Sequence, residues 1–195
     1  MHPSDTLLLE TIKIERGIVH NLPYHQTRFN KSRAILFNTD IPIDLLSVIT
    51  PPSDACYRCR ILYGRTIEKV EYLPYTPKPI RHLKIVSSSI DYSHKYADRS
   101  CFEELLKTHP EADEILIEKE GYLTDTTISN IAFFDGKTWV TPETPLLQGT
   151  MRQKLLDNGT LITEDIRKED LGKYTHVALM NAMLGFKILN QITIA

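Results

Sequence analysis

Several places in this sequence carry residue types capable of chemistry. In Gly149-Thr150-Met151-Arg152 a glycine precedes the predicted start of a helix. The N–H groups of a helix start and its positive dipole end both favour a phosphate, although most helix starts bind nothing. Arg28 shares a helix face with His25 and Ser32, spaced i, i+3 and i+7. Its guanidinium fork matches phosphate oxygens; the plainer alternative is a solvated helix face. Lys95, in Ser93-His94-Lys95-Tyr96, lies just past a predicted domain boundary. Burial there would lower its pKa and make it an amine nucleophile, whereas on the surface it would be an ordinary lysine. Asp125, in Leu123-Thr124-Asp125-Thr126-Thr127, is a carboxylate that could keep a cofactor's ring nitrogen protonated. Its alternative is a turn Asp bonded to its own backbone.

Other motifs carry less. Cys56-Tyr57-Arg58-Cys59 has the C-x-x-C spacing, but a zinc site needs a second pair and only Cys101 remains. A redox C-x-x-C belongs at a helix start, and this one leads into a strand. The seven histidines show neither H-x-x-x-H nor H-E-x-x-H, so no metal is expected. There is no G-x-S-x-G, Walker or G-x-G-x-x-G pattern.

These residues need elements to position them. Residues 6–14 read as a strand in which Leu8, Glu10, Ile12 and Ile14 share one face. Gly17-Ile18-Val19 begins a short second strand. Pro23 suits the first turn of a helix running to about Phe37. Residues 41–54 start as a short helix or turn and end as a loop. Residues 57–63 and 66–72 form a hairpin about Gly64-Arg65, and 83–87 is another strand. A domain boundary near Ser87–Asp91 divides the chain into residues 1–88 and 89–195. Beyond it the pattern predicts a helix over 96–109, strands over 114–118 and 128–134, and a hairpin through Asp135-Gly136 to 138–141. A helix follows from Gly149-Thr150 to Gly159, with Thr150 as N-cap and Gln153 completing a capping box, and Gly159 as left-handed C-cap. Strands over 160–163, 176–180 and 186–194, with a short helix at 167–173, complete an α+β chain of two small domains.

With 23 basic against 25 acidic residues the net charge is −2, which argues against a dedicated nucleic-acid binder. No stretch approaches the roughly 18 apolar residues of a membrane span. Leu7-Leu8-Leu9 is too short for a signal-peptide core, and three cysteines make no disulfide framework. A reducing, cytoplasmic location is expected.

The motifs taken together, in order from about residue 8 to 190, resemble the class IV (fold type IV) pyridoxal-phosphate enzymes. Glu10-Thr11-Ile12 resembles that family's E-T-I strand, and His25-Gln26-Thr27-Arg28 with Ser32 its H-x-x-R…S helix. Lys95-Tyr96-Ala97-Asp98-Arg99 resembles the segment around its Schiff-base lysine. Asp113-Glu114-Ile115-Leu116, Gly121-Tyr122-Leu123-Thr124-Asp125 and Ser129-Asn130-Ile131 resemble its D-E-x-L…G-x-x-[TS]-E…N run. Thr141-Pro142 and Leu147-Gln148-Gly149-Thr150-Met151-Arg152 resemble T-P…L-x-G-x-x-R. Asn181-Ala182-Met183-Leu184-Gly185 is similar to the closing segment of the family's lyase members.

The resemblance implies two small α/β domains with a shortened first one, pyridoxal 5'-phosphate as cofactor, and a homodimer acting on a small amino-group substrate. It implies Lys95 as the Schiff-base and proton-transfer residue and Asp125 on the ring nitrogen. Arg28, Gly149, Thr150 and Met151 would hold the phosphate, and Glu10 and Asn181 would contact substrate. Asp125 stands where the family has Glu, and Ser100 where branched-chain enzymes have Tyr. The motifs lie nearest those of 4-amino-4-deoxychorismate lyase, which releases pyruvate and leaves 4-aminobenzoate for folate synthesis. An aminotransferase for D- or branched-chain amino acids is the alternative, and a weakly catalytic cofactor-binding protein a third reading.

Overall fold

A computed structural model describes residues 6–195. The chain forms two compact units, each with its own sheet and core. One runs through Thr76 and takes back His94–Asp98; the other comprises Pro77–Ser93 and Arg99–Ala195. This differs from the single boundary near residue 88. Strand β5 (His82–Ser87) belongs to the second unit, because it pairs in parallel with β6 (Glu114–Lys119). Residues 94–98 belong to the first, because their backbone bonds to its first strand.

The first unit is an antiparallel four-stranded sheet in the order β2-β1-β3-β4, formed by β1 (Leu8–Glu15), β2 (Ile18–Val19), β3 (Cys56–Tyr63) and β4 (Ile67–Pro74). Alternation along β1 puts Leu8, Glu10, Ile12 and Ile14 on the covered face, all four fully buried. That face packs on helix α1 (Leu22–Phe37), with Phe29 against Tyr63 at 4.5 Å between ring centroids. Pro23 falls in the first turn of α1, where its missing N–H costs nothing. The short helix α2 (Leu45–Val48) adds Leu45 to the same core. Cys59 is buried there as well, and burial pushes its thiol up to about 11.

The expected helix over 96–109 is shorter, α3 at Ser100–Thr108. Residues 95–97 are extended instead. Leu9 N–H donates to Lys95 O at 2.9 Å and Ala97 N–H to Leu7 O at 2.8 Å, so β1 claims this segment as a bridge partner.

The second unit holds a nine-stranded mixed sheet. Its path runs β10-β9-β8-β7-β6-β5-β13, with β11 paired to β8 and β12. The strands not yet located are β7 (Tyr122–Thr126), β8 (Asn130–Phe134), β9 (Trp139–Pro142), β10 (Leu161–Glu164), β11 (His176–Asn181), β12 (Gly185–Leu189) and β13 (Thr193–Ile194). Alternation along β8 divides two cores. Ile131 and Phe133 join Leu116, Leu123, Val140 and Leu179, whereas Ala132 joins Met180 and Leu161 beside Met151 and Leu155 of helix α4 (Thr150–Asp157).

Asp125 lies on β7, which excludes its alternative as a turn residue. Two further expectations change. The strand expected over 186–194 is two, because Gln191 adopts φ 57 between β12 and β13, a left-handed conformation no strand continues through. The capping box is absent. Gly149, not Thr150, is the N-cap of α4, no side chain caps it, and the Gln153 amide bonds Asp157. Gly159 does take the left-handed conformation just past the helix, φ +74. Among the described residues no helix is long and apolar enough to cross a membrane.

Candidate active site

In the first unit the candidates meet on β1 and α1. Glu10 lies on the covered face of β1 between Leu8 and Ile12, with none of its surface exposed. His25 and Arg28 reach it from one face of α1. Arg28 Nε donates to Glu10 Oε1 at 2.9 Å and Arg28 Nη2 to Oε2 at 2.6 Å, a two-point pair. His25 Nδ1 lies 2.6 Å from the same Oε2, and His25 is also fully buried.

Burial works against ionising Glu10. The Arg28 charge, and the hydrogen bonds from His25 and Arg28, outweigh it and bring the carboxyl down to about 2. Burial dominates at His25 and holds its imidazole below the ordinary value, against the pull of Glu10. The triad at neutral pH is therefore a Glu10 carboxylate, an Arg28 cation and a neutral His25 that donates through Nδ1. Lys95 sits at the bridge to β1, half-buried, and its charge is felt at His25. The first unit thus brings together Glu10, Arg28 and Lys95.

In the second unit Asp125 on β7 and Asn130 on β8 are cross-strand partners on either side of a four-residue reversal. Asn130 Nδ2 donates to Asp125 Oδ1 at 2.7 Å and to Leu147 O at 2.9 Å, and Leu147 N–H donates to Asp125 Oδ2 at 2.9 Å. The carboxylate is 4% exposed. Among the described residues no cation comes within the 4.0 Å of an ion pair to it. Burial prevails over these hydrogen bonds and the charge of Arg152 and pushes Asp125 up to about 7.

Asn130 also explains Gly149. A Cβ at residue 149 would stand 1.9 Å from Asn130 Oδ1, so only glycine fits there, although its φ of −71 is open to any residue. One amide thus ties Asp125 to the loop that opens α4. Thr150 and Met151 are the first two residues of that helix, at its positive dipole end. Arg152, buried on the same turn, donates to Pro142 O at 2.8 Å and to Gln148 Oε1 at 3.0 Å, fastening the loop to the end of β9.

Asn181 shapes a turn. Its Oδ1 accepts from Met183 and Leu184 N–H at 2.9 and 2.8 Å, and its Nδ2 donates to Ser129 Oγ at 2.8 Å. Glu114, buried, takes Thr127 Oγ1 at 2.5 Å and the N–H groups of Thr127 and Ile115, and Arg99 donates to Thr127 O at 2.7 Å. These hold the reversal between Asp125 and Asn130. The motif reading gave Asn130 and Glu114 no role. The available signal was a D-x4-N spacing across a tight reversal, followed by a glycine with no conformational need to be one.

Comparison with known proteins matches almost the whole chain. The family model described as amino-transferase class IV covers residues 7–192. A protein of Haemophilus influenzae, named only "Uncharacterized protein", is 37% identical over 187 residues, 91% of this chain and 98% of that one. A crystal structure from Haemophilus somnus 129pt, described as "a putative 4-amino-4-deoxychorismate lyase", is 39% identical. It has a TM-score of 0.84 and covers 93% of this chain and 98% of that one. A Schizosaccharomyces pombe protein named "Putative aminodeoxychorismate lyase" is 29% identical over 126 residues, 60% of this chain and 54% of that one.

Proposed function

The chain belongs to the class IV aminotransferase family of pyridoxal-phosphate-dependent enzymes, and from that premise we propose that it is a 4-amino-4-deoxychorismate lyase using pyridoxal 5'-phosphate through Lys95. One observation carries the cofactor assignment. Asp125 is a buried carboxylate with no cation in ion-pair contact among the described residues, and burial raises it to about 7 against the charge of Arg152 beyond that distance. A protonated ring nitrogen is the counter-charge such a group lacks. The arrangement beside it fits the other end of the same molecule, because the Asn130 amide ties Asp125 to the start of α4, a phosphate-accepting helix end. The names borne by the 39%-identical crystal structure and the yeast relative support the lyase reading, as does the Asn181-Ala182-Met183-Leu184-Gly185 turn.

When bound, the cofactor supplies a ring that accepts the electron pair released at the substrate's α-carbon. In this reading Lys95 would hold the cofactor through its amine and, once the substrate's amino group has displaced that amine, would carry the proton at the substrate's α-carbon. Asp125 would keep the proton on the ring nitrogen, Arg28 and, at the start of α4, Thr150 and Met151 would hold the phosphate, and Asn130 keeps Asp125 from turning away. Pyruvate leaves and 4-aminobenzoate remains. The enzyme works as a homodimer, as the family resemblance implies.

The test is incubation with pyridoxal phosphate, borohydride reduction and peptide mapping, followed by turnover of 4-amino-4-deoxychorismate. A stable adduct on Lys95, absent from Lys95→Ala, together with pyruvate release is the expected result. Keto-acid release from amino acids without pyruvate would replace the lyase with an aminotransferase. No adduct on Lys95 would remove the cofactor assignment.

A further inference from the structure

Glu10 is out of keeping with its surroundings. Its neighbours on the covered face of β1 are Leu8, Ile12 and Ile14, and the core around them is Phe29, Ile61 and Tyr63. A carboxylate buried there must be paired on every side, and packed aliphatic side chains of the same volume are commonly at least as stable as such a cluster. Stability alone therefore does not explain why a Glu, a His and an Arg are buried together at this point.

The geometry offers another reason. Glu10 takes Arg28 through the Nε and Nη2 edge of the guanidinium, with both oxygens engaged. A planar group held at two points cannot rotate, so its Nη1 side is directed away from Glu10 in one fixed orientation. Glu10 is itself fixed. Its Oε2 is shared between Arg28 Nη2 and His25 Nδ1, and His25 is immobilised by full burial on the same helix, three residues before Arg28. An arginine otherwise loses much rotamer freedom when it grips an anion. Here that ordering exists before any ligand arrives.

We infer that Glu10 is a positioning residue, locked by His25, that fixes the guanidinium edge with which Arg28 grips the cofactor's phosphate. The inference rests on the cofactor reading above in taking Arg28 as a phosphate ligand. It assigns Glu10 to the chain's own arginine in place of the substrate.

Full-length wild type, Glu10→Gln, Glu10→Asp and Arg28→Ala are titrated with pyridoxal phosphate and with pyridoxal, which has the same aldehyde and ring but no phosphate. The readout is the ratio of the two affinities. A purely structural contribution of Glu10 would lower the melting temperature and leave that ratio in place. Glu10→Gln is expected to weaken pyridoxal phosphate tenfold or more and to change pyridoxal less than twofold. Glu10→Asp keeps the charge but shortens the reach by one methylene, and remains informative if the Gln variant folds poorly; it is expected to lose the ratio in the same direction. In an Arg28→Ala background neither substitution should lower the ratio further. A wild-type ratio in either Glu10 variant overturns the inference.

Inorganic phosphate alone separates this inference from the cofactor reading. If wild type forms no Lys95 adduct, yet phosphate raises its melting temperature and not that of Glu10→Gln, the cofactor reading falls and the role of Glu10 stands. An equal rise in both proteins, or none in wild type, overturns the role of Glu10.

Discussion

Asp125 makes the cofactor-free protein less stable as pH rises, by an amount the structure sets. Burial raises its carboxyl from an ordinary 3.8 to about 7 in the folded protein. Between these values the unfolded chain has lost the proton and the folded chain still holds it. The folded state binds more protons, so unfolding free energy falls with increasing pH through this window and levels off above about 7. Each pH unit corresponds to about 1.4 kcal/mol while the folded group stays protonated, and because it is half ionised at pH 7 the interval from pH 5 to pH 7 removes about 2 kcal/mol. Asp125→Asn abolishes the titration. It also gives up one acceptor for Leu147 N–H or the Asn130 amide, a loss that does not vary with pH. His25, whose imidazole burial holds below its ordinary value, is present in both proteins and cancels in their difference. The assay is urea unfolding of the cofactor-free proteins at pH 5, 6, 7 and 8, taking wild type minus Asp125→Asn. The expected difference moves against wild type by about 2 kcal/mol between pH 5 and pH 7 and levels off by pH 8. Saturation with pyridoxal phosphate should flatten the wild-type curve, because a ring-nitrogen proton opposite Asp125 supplies the missing charge. Parallel curves for the two cofactor-free proteins would refute the claim that burial dominates the ionisation of this carboxylate.

Two further substitutions test the packing. Gly149→Ala forces Asn130 to move, since the new Cβ would lie 1.9 Å from its Oδ1; a loss of about 1–3 kcal/mol is expected. Asn130→Ala gives up two hydrogen bonds at a similar cost, and the double variant should lose clearly less than the sum, an additive result by denaturant unfolding being evidence against the contact. Phe29→Ala empties the space beside Tyr63 in the first core and should cost about 3–5 kcal/mol; a loss under about 1 kcal/mol would show that this core is not packed as described.

What could be read from sequence was local. Alternation placed Leu8, Glu10, Ile12 and Ile14 on one face, because the period of a strand is fixed at two. Pro23 marked the start of α1, and the i, i+3 spacing of His25 and Arg28 put them side by side, because helical geometry leaves no choice. Asp135-Gly136 closed a hairpin, with Asp135 Oδ1 accepting from the N–H groups of Lys137 and Thr138 and Gly136 at φ +98. Arg28, Lys95, Asp125 and the start of α4 could each be picked out as residue types suited to an amine-and-phosphate chemistry.

The tertiary structure decided what depends on partners distant in sequence. Residues 95–97 have a passable helical pattern and are extended because β1 offers them hydrogen bonds. β5 went to the second unit because its partners, β6 and β13, lie there. Gly149 is glycine because of Asn130, nineteen residues away, a close approach no local rule encodes. Glu10 stands among aliphatic neighbours in a strand, and only the arrival of His25 and Arg28 from α1 gives its charge a place. Propensity and periodicity act over a few residues, whereas burial and pairing are properties of the assembled chain, and this site is made of the second kind.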